Sequence, residues 1–212
     1  MPQKKSKEFV LLTGEVEFPF LRTVLLEACP DLFPDVSVVH AGDLASLEAA
    51  CLDDKAGDGE RCLIAFCTQV IVPGPVIESV SGRAYNFHPG PPTYPGSHAA
   101  NFAVYDGAER FGVTAHIMTE RVDAGPIVGV GWFPVPVESS GTELEEKTYV
   151  HLFDLFKDMA TSLVSANGLL PELNIQWSGR KTTKRDYDIM KETGAGLSVE
   201  EINRRRRAFG RN

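Results

Sequence analysis

Two polar side chains, Asn86 and His88, lie two residues apart at the end of a short segment that Pro89 closes. At that spacing in a β-strand, both side chains point to the same face of the sheet. The imidazole titrates near neutral pH and can move a proton, whereas the carboxamide offers neutral N–H donors to a developing oxyanion. The pair therefore predicts acid–base and oxyanion chemistry at one reacting atom. The alternative for an isolated pair of this kind is a hydrogen-bonded polar pair at a strand end.

A carboxylate is the usual third member of such a group, because it orients the imidazole and stabilises its charged form. Asp123 is the best candidate, since it opens a loop with the sequence Asp123-Ala124-Gly125-Pro126. We expect Asn86, His88 and Asp123 to converge at the C-terminal edge of a sheet, where open parallel sheets bind their ligands.

The elements that must position these residues alternate between strands and helices. Apolar runs predict strands over residues 9–12, 36–39 and 62–66, and helical spacing predicts helices after Pro19 and over residues 43–52. Further strands are predicted over residues 84–88, 112–118 and 127–137. Strands that are apolar throughout and separated by helices indicate a mostly parallel sheet with helices on both faces, so the predicted fold class is α/β.

Two later helices are predicted from capping boxes, in which a Ser or Thr is followed three residues later by Glu. The first begins at Thr142 with Glu145, and the second at Ser198 with Glu201. Ile202 and Phe209 share a face of the second helix and should dock on the domain. The four arginines at 204–207 could contact an anionic substrate or a partner chain, and a solvated helix face is the alternative.

The composition is that of an ordinary globular protein, with 43% hydrophobic and 24% charged residues in 212. We expect a loose tail over residues 1–7, a catalytic domain over 8–170 and a short C-terminal extension with a helix over 171–212. No apolar run approaches the roughly 18 residues of a membrane span, and the basic start is not a signal peptide, so a cytoplasmic location is predicted. The four cysteines do not suggest a disulfide framework, and no spacing predicts a metal site.

The net charge of −8 is unevenly distributed. From Arg180 onward there are 10 Lys and Arg residues against 5 Asp and Glu, whereas the preceding residues hold 11 and 24. An acidic body argues against a nucleic acid as the main partner. The expected partner is a small molecule, neither a nucleic acid nor a membrane, and the oligomeric state is left open, with a homodimer allowed for.

Four segments resemble the 10-formyltetrahydrofolate-dependent formyltransferase family: Asn86-Phe87-His88-Pro89, Tyr94-Pro95-Gly96-Ser97-His98, Gly112-Val113-Thr114-Ala115-His116 and Asp123-Ala124-Gly125-Pro126-Ile127-Val128. The family includes glycinamide ribonucleotide transformylase, methionyl-tRNA formyltransferase and the enzymes that formylate nucleotide-linked amino sugars. The resemblance implies a Rossmann-like fold, 10-formyltetrahydrofolate as the formyl donor, and a primary amine as the acceptor. It also implies that Asn86, His88 and Asp123 are the catalytic residues.

The resemblance further implies where the donor binds. Gln69, Val70 and Ile71 correspond to the family's pterin loop, where backbone groups hold the ring. Residues 120–122 would form the second wall, which is made of Glu120, Arg121 and Val122. For Val70, Ile71 and Val72, ordinary core packing is the alternative.

Two departures from the family pattern bear on the acceptor. The loop after His88 reads Pro89-Gly90-Pro91-Pro92, where the family commonly has HPSLLP, and this affects the acceptor pocket. Glu15 and Glu17 follow the first strand, where glycinamide ribonucleotide enzymes carry a Gly/Ser-rich turn that cradles a phosphate. The glutamates favour a nucleotide-linked amino sugar as the acceptor, with glycinamide ribonucleotide as the alternative.

Other classes of protein fit less well. Methionyl-tRNA formyltransferases add a large C-terminal domain and formyltetrahydrofolate hydrolases an N-terminal regulatory domain, and neither is expected here. A non-catalytic module that binds folate or a nucleotide would not need Asn86, His88 and Asp123 together. A dinucleotide-dependent oxidoreductase would need GxGxxG after the first strand, and that motif is absent there.

Overall fold

The computed structural model describes residues 6–30, 35–52, 60–81, 83–166, 169–194 and 196–210. Its strands are β1 Lys7–Leu12, β2 Val36–Ala41, β3 Glu60–Phe66, β4 Ala84–His88, β5 Arg110–Ile117 and β6 Ile127–Pro134. Its helices are α1 Phe18–Glu27, α2 Leu44–Leu52, α3 Gly74–Ser79, α4 Ala99–Asp106, α5 Gly141–Ser165, α6 Lys184–Lys191 and α7 Val199–Phe209. Residues 1–5 of the expected tail lie outside the described part of the chain.

The strands form one six-stranded sheet in the order β2-β1-β3-β4-β5-β6. β1 pairs in parallel with β2 and β3, and β3 pairs in parallel with β4. The predicted α/β fold with a mostly parallel sheet is confirmed. Because the chain leaves β1 toward β2 and returns on the other side as β3, the order reverses at β1, and such a reversal leaves a crevice at the C-terminal ends of the strands.

The chain divides into two compact units, each made of stretches that are separated in sequence. The first holds the described residues of Met1–Phe87, Ala115–Gly129 and Phe156–Asn174, and the second holds those of His88–Thr114, Val130–Leu155 and Ile175–Asn212. In the first unit the apolar runs of β1 and β3 are buried, as their composition predicts. The rings of Phe66, Phe87 and Phe156 pack against one another in its core, with centroids 5.2–6.1 Å apart.

In the second unit, α7 packs against α4 through Phe209, whose side chain is fully buried. The Phe209 ring contacts Phe102, Tyr105 and Tyr187 at centroid distances of 5.1, 5.7 and 5.6 Å. The predicted docking of Phe209 is therefore confirmed, while Ile202 is only half-buried. The Ser198 hydroxyl accepts the Glu201 N–H, as expected of a helix cap.

The predicted start of the long helix is wrong in its cap. α5 begins at Gly141, and the capping box is made by Ser140 and Glu143 rather than by Thr142 and Glu145. Both pairs have the required spacing, so the sequence alone could not choose between them. Tertiary packing distinguishes the two positions. Gly141 lies against the Ala208 carbonyl, where a Cβ would be 2.0 Å from the oxygen, so only glycine fits there.

The last predicted strand also ends earlier than expected. β6 stops at Pro134, because proline lacks the N–H that a sheet ladder needs and Pro136 follows two residues later. The helices α3, α4 and α6 were not predicted from the sequence. None of the described helices combines the length and the apolar character that crossing a membrane requires.

Candidate active site

A pocket of about 530 Å³, open to solvent, lies at the C-terminal ends of β3 and β4 in the first unit. Its lining combines apolar side chains with polar ones, among them the buried or half-buried Asn86, His116 and Asp123. The remaining lining residues are Ala65, Thr68, Val70, Ile71, Val72, Ile77, Met118, Thr119, Glu120, Arg121 and Val122. A pocket of this composition suits a small organic ligand held by a few oriented polar groups.

The amide of Asn86 is oriented by His116, which stands at the end of β5. The Asn86 Nδ2 lies 3.1 Å from the His116 Nε2, and the His116 Nδ1 lies 2.9 Å from the Ile117 carbonyl oxygen. A carbonyl can only accept, so Nδ1 carries a proton, and when that proton is the only one on the ring, Nε2 accepts from the amide N–H. This assignment fixes the amide with its NH₂ group toward the ring, and the second N–H of that group can serve another acceptor.

Asp123 completes this buried polar cluster. Its Oδ1 lies 3.5 Å from the His116 Nε2, and the two residues are 6% and 2% exposed. Asp123 has a φ of 48°, in the left-handed region that few residues other than glycine adopt. Its loop lies tightly against β5, because a Cβ at Gly125 would come within 1.9 Å of the Ile117 carbonyl oxygen. Backbone strain of this kind is common where a side chain is held for function.

His88 is the last residue of β4, two positions beyond Asn86, and it belongs to the second unit. The ring is 5% exposed, and its Nε2 lies 3.3 Å from the Tyr94 carbonyl oxygen. Because that oxygen only accepts, Nε2 carries a proton. The Trp177 ring meets the imidazole edge to face, with centroids 5.8 Å apart and an interplanar angle of 71°.

Most of the residues predicted to hold the donor line the pocket, but not all of them do. Val70 and Ile71 line the pocket, whereas Gln69 is exposed and is not part of the lining. Ile71 is 65% exposed, so the alternative that it belongs to the core is wrong. The exposed side chains of Glu120, Arg121 and Val122 form the opposite rim of the same pocket.

His116 was not predicted to be a site residue, although it lies in one of the four segments that resemble the family. A histidine at the end of an otherwise apolar strand, seven residues before Asp123, is the signal that could have identified it. Thr68 and Met118 were also missed as parts of the pocket lining. Their positions depend on which strands are neighbours, which the sequence does not show.

The arginine run has a structural role in part. The Arg204 guanidinium lies 4.0 Å above the Tyr105 ring and donates to the Tyr105 carbonyl. Arg205 donates to Glu201, with the two atoms 2.6 Å apart. Both arginines therefore stabilise α7 and its packing on α4, whereas the side chains at 206 and 207 are exposed.

Comparisons with known proteins find similarity to formyltransferases. The family model described as "Formyl transferase" matches residues 54–151. The chain is 35% identical over 60 residues to phosphoribosylglycinamide formyltransferase of Escherichia coli (strain K12), which is 28% of this chain and 28% of that protein. It is 28% identical over 117 residues to trifunctional purine biosynthetic protein adenosine-3 of Drosophila melanogaster, which is 54% of this chain and 8% of that protein. The chain thus matches less than a third of the length of each of these relatives.

Solved structures share the fold over nearly the whole chain. A sugar N-formyltransferase from Shewanella has a TM-score of 0.74 at 17% identity, covering 96% of this chain and 87% of the other. An N-formyltransferase from Helicobacter canadensis, in complex with folinic acid and dTDP-3-aminofucose, has a TM-score of 0.69 at 18% identity, covering 97% and 81%. At these identities the likeness shows a common fold.

Proposed function

We propose that the chain is a member of the formyl transferase family, whose model matches residues 54–151, and that it transfers a formyl group from 10-formyltetrahydrofolate to a primary amine of a small acceptor. One observation carries the proposal. An amide, an imidazole and a carboxylate, those of Asn86, His116 and Asp123, meet at the wall of a single ligand-sized pocket. A binding module would have no need for such a buried polar cluster, because each group costs free energy to remove from water.

The pocket residues fit the donor. The apolar side chains of Val70, Val72 and Met118 can cover the faces of a pterin ring, and the segments around residues 68–72 and 119–122 offer backbone groups to its edge. The N-formyltransferase from Helicobacter canadensis was solved with folinic acid, and a formyltransferase from Anoxybacillus kamchatkensis, with a TM-score of 0.64, was solved with tetrahydrofolate. When bound, 10-formyltetrahydrofolate supplies an activated formyl carbon.

The proposed roles follow from what each side chain can donate or accept. Asn86 directs an N–H toward the formyl oxygen and stabilises the negative charge that develops when the acceptor amine attacks. His88, two residues along the same strand, donates a second hydrogen bond to that oxygen from Nδ1 in its protonated form, because its Nε2–H faces the Tyr94 carbonyl. Asp123 accepts the proton that the amine loses as its bond to the formyl carbon forms. The proton then passes to the folate nitrogen as its bond to that carbon breaks.

For the acceptor we propose a nucleotide-linked amino sugar. Glu15 and Glu17 stand at the start of α1, where they would repel the phosphate of glycinamide ribonucleotide. The Helicobacter and Anoxybacillus proteins were solved with nucleotide sugars. Glycinamide ribonucleotide is the second candidate, because the Escherichia coli relative is a phosphoribosylglycinamide formyltransferase.

The choice between these acceptors is testable by comparing their specificity constants. We expect kcat/KM for dTDP-linked and UDP-linked amino sugars to exceed that for glycinamide ribonucleotide. A Glu15→Gln/Glu17→Gln variant should narrow the difference, since it removes the repulsion of the phosphate. A larger kcat/KM for glycinamide ribonucleotide in the unmodified protein would replace the first acceptor with the second.

The proposal also includes a cytoplasmic location and a homodimeric state. The four cysteines are all free thiols, which suits a reducing compartment such as the cytoplasm. Burial raises the pKa of the Cys62 thiol to about 12, so this thiol stays protonated and inert. The acceptor is a small molecule rather than a nucleic acid, because the residues before 180 are strongly acidic. A homodimer and a catalytic domain over residues 8–170 are further parts of the proposal.

His116→Leu is expected to lower kcat about tenfold or more, because Asn86 then loses the acceptor that orients its amide. His116→Gln keeps an acceptor oxygen near the same place and should recover part of the loss. Both changes should also lower the free energy of unfolding, by about 1–3 kcal/mol for the leucine variant, since buried polar groups lose a partner. Steady-state kinetics and thermal melting of the two variants measure these effects. Equal kcat values for the leucine variant and the unmodified protein would contradict the role of His116.

A further inference from the structure

We propose that Gly90 is a positioning residue for His88, because only a residue without a side chain leaves the imidazole its place. Gly90 is buried and lies two residues after His88, in the loop that departs from the family pattern. The inference rests on the proposed function in one respect, since that function gives His88 a task. It adds a residue that acts on the reaction through the imidazole alone.

Three groups surround the place that a side chain at Gly90 would occupy. A Cβ there would lie 2.6 Å from the His88 Nε2, 2.9 Å from the Ala99 Cβ and 3.0 Å from the Tyr94 carbonyl oxygen. Non-bonded carbon atoms keep about 3.5–4.0 Å from one another, so a side chain at this position forces some group to move. Which group moves depends on how firmly each one is held.

The backbone at Gly90 is held by a neighbouring strand. The hydroxyl of Thr114, on β5, donates to the Gly90 carbonyl oxygen at 2.7 Å, and the Thr114 side chain is fully buried. Breaking this hydrogen bond would cost free energy, because both groups lie away from water. Pro89 and Pro91 flank the glycine, and the ring of each fixes its φ. A side chain at this position is therefore expected to displace a neighbour rather than its own backbone.

Two of the three neighbours are also firmly held. Ala99 is the first residue of α4, and its β-carbon has no bond about which it could turn away. The Tyr94 backbone is held by its own N–H, which donates to the Pro91 carbonyl at 2.9 Å. The Tyr94 ring packs against Phe111 with centroids 5.9 Å apart, and its hydroxyl donates to Asp106 at 3.2 Å. Neither the Ala99 methyl group nor the Tyr94 carbonyl is therefore free to retreat.

The imidazole is the third neighbour, and it can turn about its own side-chain bonds. Its Nε2 faces the Tyr94 carbonyl oxygen at 3.3 Å, on the side where a Cβ at Gly90 would intrude. Such a Cβ would turn the Nε2 away and rotate the whole ring, including the Nδ1 that faces the reaction in the proposed mechanism. The other contacts of the buried ring would change with the same rotation.

This steric relation gives a physical reason for the departure from the family pattern. The family commonly has His-Pro-Ser at these positions, whereas this chain has His88-Pro89-Gly90. With the backbone that this chain adopts, a serine would bring both its Cβ and its hydroxyl against the imidazole. We therefore expect the residue that is common in the family to be harmful in this protein.

Kinetics provide the first test. Gly90→Ala should lower kcat about 10- to 100-fold, because a small misplacement of a reacting group is costly, while the KM of the folate donor changes less than about threefold. Gly90→Ser should lower kcat at least as far. Gly194→Ala is the matched control and should change neither value. Gly194 is exposed in the same unit, and among the described residues beyond its chain neighbours no atom lies within 4 Å of a Cβ built there. An unchanged kcat in Gly90→Ala overturns the proposal.

A second measurement does not need activity. Long-range ¹H–¹⁵N correlation spectra of the five histidines report the protonation and surroundings of each ring, and His88→Asn identifies the His88 signals. Gly90→Ala should move the His88 signals and leave those of His40 and His116, which belong to the first unit, in place. Gly194→Ala should leave all five unchanged.

The outcomes of this experiment separate the positioning role from a general effect on the fold. Identical His88 signals in Gly90→Ala overturn the positioning role, even if kcat falls. Loss of the His40 and His116 signals as well would show that the fold gives way rather than the ring, which also overturns it. Failure of the unmodified protein to transfer formyl groups would contradict the proposed function, and the spectra would still decide whether Gly90 keeps the imidazole in place.

Discussion

Asn86→Ala is expected to lower kcat about 100- to 1000-fold, the usual effect of removing one donor to a developing oxyanion. The amide is held by a 3.1 Å contact to His116 and stands at the wall of the pocket, so it is oriented before any ligand binds. The expected cause is loss of stabilisation in the transition state alone. Stopped-flow or steady-state measurements of formyl transfer give kcat directly.

Donor binding separates this role from a contact with the ground state. The affinity of Asn86→Ala for a non-reactive folate such as folinic acid, measured by calorimetry, should stay within about threefold of the unmodified protein. Asn174→Ala is the matched control, because Asn174 is exposed and belongs to the same unit. A loss of folate affinity beyond about tenfold with kcat unchanged would assign Asn86 to binding instead.

Asp123→Asn should lower kcat about 100-fold or more, because an amide of the same shape cannot accept the proton that the amine loses. The substitution is chosen to spare the fold. Asn tolerates the left-handed conformation that the φ of 48° requires, and it fills the space of the buried carboxylate beside His116.

Thermal melting and kinetics of Asp123→Asn should therefore diverge. We expect a melting temperature close to that of the unmodified protein together with the loss of kcat. Asp158→Asn, on the exposed side of α5, removes the same charge away from the pocket and should change neither. A variant at Asp123 that keeps full kcat would show that the proton leaves by another route.

The bounds of a strand could be predicted from the sequence where the neighbouring residue types determine them. β4 has the predicted bounds at both ends, and it ends at His88 because Pro89 has no N–H with which to continue the ladder. β1 begins earlier than predicted, at Lys7, whose Nζ donates to the Val164 carbonyl near the C-terminal end of α5 at 2.8 Å. A contact between residues 157 positions apart depends on the tertiary fold and could not be inferred from a basic tail.

The site was likewise predictable where neighbouring residues on one strand decide it, and not where contacts between strands do. The spacing of Asn86 and His88 on one strand predicted that both contribute to the site, whereas the side chain that contacts Asn86 is His116, on another strand of the sheet. The register between those strands cannot be read from the sequence, so the position of the His116 imidazole beside the Asn86 amide could not be inferred. The contacts of Trp177 and Arg204 were beyond prediction for the same reason.

The most direct test follows the formyl carbon itself. The protein is incubated with 10-formyltetrahydrofolate labelled with ¹³C in the formyl group and with a dTDP-linked amino sugar, and the products are examined by ¹³C NMR and mass spectrometry. The account predicts a labelled formamide on the sugar, with a mass gain of one CO, in the unmodified protein and its near absence in Asn86→Ala. Label that stays on the folate, or appears only as free formate, with this sugar and with a panel of other amines would contradict it.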